Sequence, residues 1–246
     1  MPSIFDETES RIAKSLKDNS RNSAAFRNEL RDLKLCETSD AFKEDLSRLN
    51  GDLHKDGMLS GLQIVESEKT HEFELQNTYV KQSDLHKFWV VQPSKFECGS
   101  SAEAMAISKI TRHAPFSAAD IHELSKENGT IKQGLPHGDD NKHMENALKS
   151  HNLNAQTFDC EENPHQEMDQ LDAELAKGRS AIAYIRNPDT GHGHFIFVAG
   201  KTDAKHYLIG NSGNPHYANA APVDRETLQK WLLGKKLGHS YFVSVW

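Results

Sequence analysis

Hydrophobic positions along the chain follow two textures. In the first 65 residues they recur at helical spacing: Phe26, Leu30 and Leu33 fall at i, i+4 and i+7, and Phe42, Leu46, Leu49 and Leu53 continue the rule after a Thr38-Ser39-Asp40 start signal. This predicts two amphipathic helices, the second ending near Gly51 or Gly57. Their apolar stripes are narrow, so they are expected to pack as an appendage on something larger. The Ser/Asn-rich stretch up to about Asn22 reads as disordered. From about residue 70, aromatic and β-branched residues gather in short runs instead. FELQNTYV, FWVVQ, AIAYIR (181–186), HFIFVAG (194–200), HYLIG (206–210) and SYFVSVW (240–246) are predicted strands. Helices are predicted over Ser100–Thr111, Ala118–Asn128, His143–His151, Gln166–Lys177 and Asp224–Leu233. Helices come first and closely spaced strands with Gly/Asn turns follow, which implies an α+β domain with an antiparallel sheet. The expected division is a helical appendage over 1–65 and the main domain over 66–246.

Charge narrows the function classes. With 36 Asp and Glu against 29 Lys and Arg, the net charge of -7 offers no footprint for nucleic acid or an anionic membrane. Neither an apolar secretory leader at the start nor a run of 18 apolar residues occurs. The expectation is a cytoplasmic protein or one exported without a signal peptide, and the polar start is compatible with injection into another cell. Three cysteines, Cys36, Cys98 and Cys160, are too few and too far apart for a disulfide framework or a paired-cysteine metal knuckle.

Chemistry concentrates in VVQPSKFECGSSAEAMAIS. Cys98 immediately precedes a predicted helix whose positions Ala102, Met105, Ala106 and Ile110 mark a buried face. A sulfur at a helix N-terminus meets unpaired amides and the positive end of the dipole, which favour thiolate over thiol. Gln92, six residues earlier, can aim its amide at the same spot and, with the backbone N–H of Cys98, hold an oxyanion. His194 opens a strong strand and supplies the base. Asn211 ends the next strand; if the two pair as a hairpin through the turn at Thr202 to Lys205, Asn211 lies beside His194 and can orient it.

Gln92, Cys98-Gly99-Ser100, His194 followed six residues later by Gly200, and YLIGNSG with Asn211-Ser212 together resemble the papain-like cysteine peptidases. The resemblance implies a central helix carrying Cys98 packed on a C-terminal antiparallel sheet, with Gln92, Cys98, His194 and Asn211 as oxyanion donor, nucleophile, base and orienter. It spans about residues 85–246 in layout and only these motifs in detail. Ser101-Ala102 replaces the Cys-Trp that often follows Cys-Gly-Ser in the family, and Gly213 replaces the Trp that usually follows Asn-Ser. Lacking the disulfide cysteines of secreted members, the chain is more similar to compact relatives such as bacteriocin-processing peptidases and injected bacterial effectors. Helical pro-segments are common in this superfamily. The N-terminal helices therefore admit three roles: a structural cap, a removable inhibitory segment, or a segment for partner or export recognition.

Competing assignments are specific. His192 is the rival base and Asp203 the rival orienter. His192, His194 and His206 can be drawn as a metal set, but no Cys or carboxylate is spaced to complete it, and Gly138-Asp139-Asp140 has too few oxygens for a calcium loop. The expected activity is a thiol-dependent hydrolase that cleaves an amide in a protein or peptide through a thioester, with no cofactor. The alternatives are a protein glutamine deamidase using the same groups and a non-catalytic binding scaffold.

Overall fold

The computed structural model describes residues 11–12, 14, 27–28, 30–32, 34, 42, 46, 48–50, 62–66, 73–127, 131–132, 135–136, 141–159, 164–186, 192–213, 222–232 and 241–246. Phe26, Leu33, Cys36, Leu53, Gly51, Gly57, Cys160, the Thr38-Ser39-Asp40 signal and the Gly138-Asp139-Asp140 stretch lie outside them. The chain forms two compact units, Met1–Thr78 and Tyr79–Trp246.

In the first unit the described residues at 11–14, 27–34 and 42–50 are helical, including Ile12 in the stretch expected to be disordered. Ile12, Leu30, Phe42 and Leu49 are buried, as apolar positions three or four apart on amphipathic helices require. An unanticipated strand, β1 (Leu62–Glu66), pairs antiparallel with β2 (Phe73–Asn77). Buried Asn50 ties helix to hairpin: its amide donates to the Leu46 and Ile64 carbonyls, and its Oδ1 accepts from the Ile64 N–H at 2.7 Å.

The second unit is built on a six-stranded antiparallel sheet. Its strands are β5 (Ala155–Asp159), β6 (Ser180–Arg186), β7 (Gly193–Lys201), β8 (His206–Gly210), β9 (Val223–Asp224) and β10 (Tyr241–Val245), in the order β5-β10-β6-β7-β8-β9. A separate pair of two-residue strands, β3 (Ile131–Lys132) and β4 (Leu135–Pro136), lies outside that sheet. Among the described residues five α-helices accompany them: α1 (Cys98–Thr111), α2 (Ala118–Glu127), α3 (Asn141–Ser150), α4 (Pro164–Ala176) and α5 (Arg225–Leu232). This is the α+β architecture that the sequence pattern implies.

Side chains alternate across the sheet and both faces are covered, which is why the central strands read as unbroken apolar runs. Ile182, Phe195, Phe197, Ala199, Leu208 and Val243 join the core beneath α1, α2 and α3. Ala183, Ile185, Ile196, Val198, Ile209 and Phe242 join the core with Leu171, Leu175 and Leu228 from α4 and α5. Helix α1 is enclosed on every side from Gly99 to Ser108. Its Ala102, Ala104 and Ala106 bring the backbone close to its neighbours, and cutting Met105 back to Ala should cost about 2–5 kcal/mol.

FWVVQ is not a strand. Gln82–Lys87 forms a 3-10 helix, and the Phe88 and Trp89 N–H groups both turn back to the Leu85 carbonyl. Phe88 and Val90 are apolar because they enter the core, not because their backbone joins a ladder. Among the described residues no helix is long and apolar enough to cross a membrane.

Candidate active site

Cys98 is the first residue of α1, not the residue before it. The helix starts there because Glu97 sits outside helical geometry (φ -104°, ψ 25°) while its carbonyl already accepts the Ser101 N–H. The Glu97 side chain makes no cap. It is buried against α2, where its Oε1 accepts from Ser125 Oγ at 3.1 Å and pairs with His122 Nδ1 at 3.0 Å. Burial pushes this carboxyl up, but hydrogen bonds from Ser94, His122 and Ser125 outweigh burial and hold it below the usual range. The segment leading into Cys98 is thus pinned to a second helix. Cys98 is half-buried and is not in a disulfide.

The hairpin of β7 and β8 brings His194 and Asn211 together. The turn closes through Thr202 N–H to His206 O, and Asp203 caps it by accepting from the Lys205 and His206 N–H groups. At the other end the two side chains meet, with His194 Nε2 and Asn211 Oδ1 2.9 Å apart. Asn211 Oδ1 also accepts the Gly213 N–H at 3.0 Å. An oxygen that already receives one donor identifies the other partner as a donor, so Nε2 carries the proton and Nδ1 is the basic nitrogen. Burial holds the imidazole below its ordinary pKa, and the bond to Asn211 opposes that shift.

Gln92 arrives from the other side. Its backbone N–H donates to the Ser212 carbonyl at 3.1 Å, and its Oε1 accepts from Ser212 Oγ at 3.2 Å. Its Nε2 donates one hydrogen to the Ser94 carbonyl, which leaves the second for another acceptor. Gly213 separates Gln92 from His194 by no more than its own backbone. A Cβ there would stand 2.9 Å from His194 Cε1 and 3.3 Å from Gln92 Oε1. The bare position is what lets ring and amide approach one another.

Cys98 and Tyr184 both pack against the core beneath α1, and the Tyr184 hydroxyl lies over Gly193, the neighbour of His194. The rivals lie elsewhere. His192 is exposed, and His206 turns to Asp203, which is itself exposed and committed to its turn. Among the described residues no three His, Cys, Asp or Glu side chains gather as a metal site. Sequence reasoning missed Trp89, Glu97, Tyr184 and Ser212 as parts of this neighbourhood. Ser212 had a signal, since it lies inside the Asn211-Ser212 motif.

No protein-family model matches the chain, and no curated protein matches it. Among solved structures, one similar chain is the peptidase domain of Streptococcus ComA, a bifunctional ABC transporter involved in a quorum-sensing pathway. It is 17% identical with a TM-score of 0.45, over 65% of this chain and 97% of that one. Another is a double-glycine-motif protease from an AMS/PCAT transporter in complex with the leader peptide. It is 14% identical with a TM-score of 0.43, over 64% of this chain and 89% of that one.

Proposed function

We propose that this protein is a cysteine peptidase of the papain-like kind, acting on an amide bond of a protein or peptide. The observation that carries the proposal is the bond between His194 Nε2 and Asn211 Oδ1, which commits one ring nitrogen and leaves Nδ1 to take a proton. In the first step Nδ1 accepts the Cys98 thiol proton and the sulfur attacks the carbonyl carbon. The carbonyl electron pair moves onto oxygen, where the spare Gln92 amide hydrogen and the Cys98 N–H receive it. Collapse of the tetrahedral species breaks the C–N bond, and His194 gives its acquired proton to the departing amine. A thioester remains. Water then loses a proton to His194 Nδ1 and attacks the thioester, and the thiol leaves with that proton.

Thiol alkylation with iodoacetamide is the direct test. Cys98 should react well below the pH at which an ordinary thiol does and faster than Cys36 or Cys160, with the advantage lost in His194→Ala and kept in His192→Ala. Slow, equal labelling of all three cysteines would overturn the proposal in favour of a binding scaffold. A Cys98→Ala variant should retain its substrate from a lysate. Mass spectrometry of that substrate after exposure to the active protein should show fragments; an intact chain with Gln converted to Glu would identify a deamidase instead.

A further inference from the structure

In the loop that enters α1, residues 93–96 are exposed and Glu97 is buried, at 1% exposure. A carboxylate leaves water only where protein donors replace it. Here they come from α2: His122 Nδ1 stands 3.0 Å and Ser125 Oγ 3.1 Å from Glu97 Oε1. An ionised carboxylate can only accept, so Nδ1 carries the His122 proton at this contact. Ser125 Oγ also lies 3.0 Å from the Ile121 carbonyl, but the charged oxygen is the stronger acceptor. His122 and Ser125, three residues apart, share one face of α2. Ile121 and Leu124 root that helix in the core that α1 also enters. None of these three polar side chains takes part in the proton transfers at Cys98 and His194.

What they hold is a peptide group. The Glu97 carbonyl and the Cys98 N–H are opposite ends of one planar trans peptide, so fixing the first aims the second. That carbonyl accepts the Ser101 N–H at 3.0 Å, and the Glu97 N–H donates to the Ser94 carbonyl at 3.3 Å. The same Ser94 oxygen receives Gln92 Nε2 at 2.9 Å. The Gln92 amide and the Cys98 N–H, the two oxyanion donors of the proposed reaction, thus meet in one chain of hydrogen bonds that runs through Glu97. We infer that Glu97 is a positioning residue for both donors: His122 and Ser125 grip its carboxylate from α2, which sets the Glu97–Cys98 peptide plane and, through the Ser94 carbonyl, the Gln92 amide. The inference rests on Cys98 being the nucleophile of a peptidase. Its effect falls on steps in which charge develops on a carbonyl oxygen, because those alone use the two donors.

Two electrophiles separate this role from a structural one, each read by mass spectrometry on the peptide that carries Cys98. With p-nitrophenyl acetate the sulfur adds to a carbonyl, an oxyanion forms, the C–O bond breaks, p-nitrophenolate leaves and the acetyl group stays on sulfur. With iodoacetamide the sulfur displaces iodide from a saturated carbon and no oxyanion forms. In Glu97→Ala, acetylation of Cys98 should slow about tenfold. Alkylation should not slow, because losing a negative charge beside the sulfur does not disfavour the thiolate. Glu97→Gln keeps an oxygen for the α2 donors and should restore acetylation to within about threefold of the wild type. Ser125→Ala, which leaves the loop sequence intact and guards against a poorly folded Glu97 variant, should slow acetylation about threefold and add nothing in the Glu97→Ala background. A parallel fall in both reactions would assign Glu97 to the fold and overturn the inference. Unchanged acetylation in Glu97→Ala and in Ser125→Ala overturns it as well, and the peptidase proposal stands in either case. If alkylation of wild-type Cys98 is no faster than that of Cys36 and Cys160, the peptidase proposal and this inference fall together.

Discussion

The indole N–H of Trp89 donates to the backbone carbonyl of Asn211 at 3.2 Å, across 122 residues of sequence. Asn211 is therefore held by three hydrogen bonds: Trp89 fixes its backbone, while Gly213 and His194 converge on its side-chain oxygen. Replacing Trp89 with Phe keeps an aromatic body in the core and removes only the donor. Stability should fall by about 1 kcal/mol and kcat/KM by about threefold to tenfold. Thermal melts and peptide hydrolysis measure the two effects, and unchanged hydrolysis would show that the Trp89 bond does not support His194 through Asn211.

Gly213→Ala is the sharper probe of the site. The new Cβ would meet the His194 ring at 2.9 Å, so the imidazole must move while the exposed backbone at 213 has no fold to disrupt. Activity should drop about 10²-fold, in line with misplacing a reacting group by a fraction of an ångström, and the melting temperature should hold. Equal losses of both would assign Gly213 to the fold instead.

His194 also ties stability to pH. Its folded pKa lies below the ordinary value of about 6.5 because burial disfavours the imidazolium. Unfolded chains therefore bind more protons between the two values. The contribution of the neutral ring is present above 6.5 and is lost as pH falls through the folded pKa. Denaturant melts should show stability declining as pH drops below about 6.5, and His194→Gln should remove that part of the slope. NMR titration of the ring should place its midpoint below the ordinary value.

Glu174 makes a contribution of the same sign in a more acidic window. It is buried, accepts from Ser244 Oγ on β10 at 2.8 Å, and pairs with Lys177 and Arg179. Burial raises its pKa, but these donors outweigh burial and hold the carboxyl below its usual range. Its stabilisation is complete above the unfolded value of about 4.3 and is lost as pH falls through the folded pKa. Glu174→Gln should cost about 1.5–3 kcal/mol at neutral pH and make the protein less sensitive to acid in that window. An unchanged urea midpoint would mean that the network is idle.

The central sheet and the meeting of His194 with Asn211 were legible because they depend on local arithmetic. Strands buried on both faces announce themselves as continuous apolar runs, and a short turn between Lys201 and His206 forces the far ends of β7 and β8 side by side. Strand β5 escaped notice because AQTFD is short and largely polar at the sheet margin, where nothing in its pattern requires a ladder. FWVVQ misled for the converse reason: Phe88 and Val90 are buried in alternation, as in a strand, while the backbone bonds go to a turn and to Ser212. Trp89, Tyr184 and Glu97 were illegible as parts of this neighbourhood because the partners of each lie far along the chain: Asn211, Gly193 and the His122 and Ser125 pair. Chain periodicity does not encode that proximity.

The β7 and β8 ladder carries an irregularity between Val198 and Gly200, so that Phe197 opposes Gly210 on one side while Lys201 opposes Tyr207 on the other. One surplus residue is absorbed midway along the hairpin. Length changes at the distal tip are therefore decoupled from the alignment at the working end. A change at that tip which keeps the Asp203 cap of the turn should leave the imidazole facing its carboxamide.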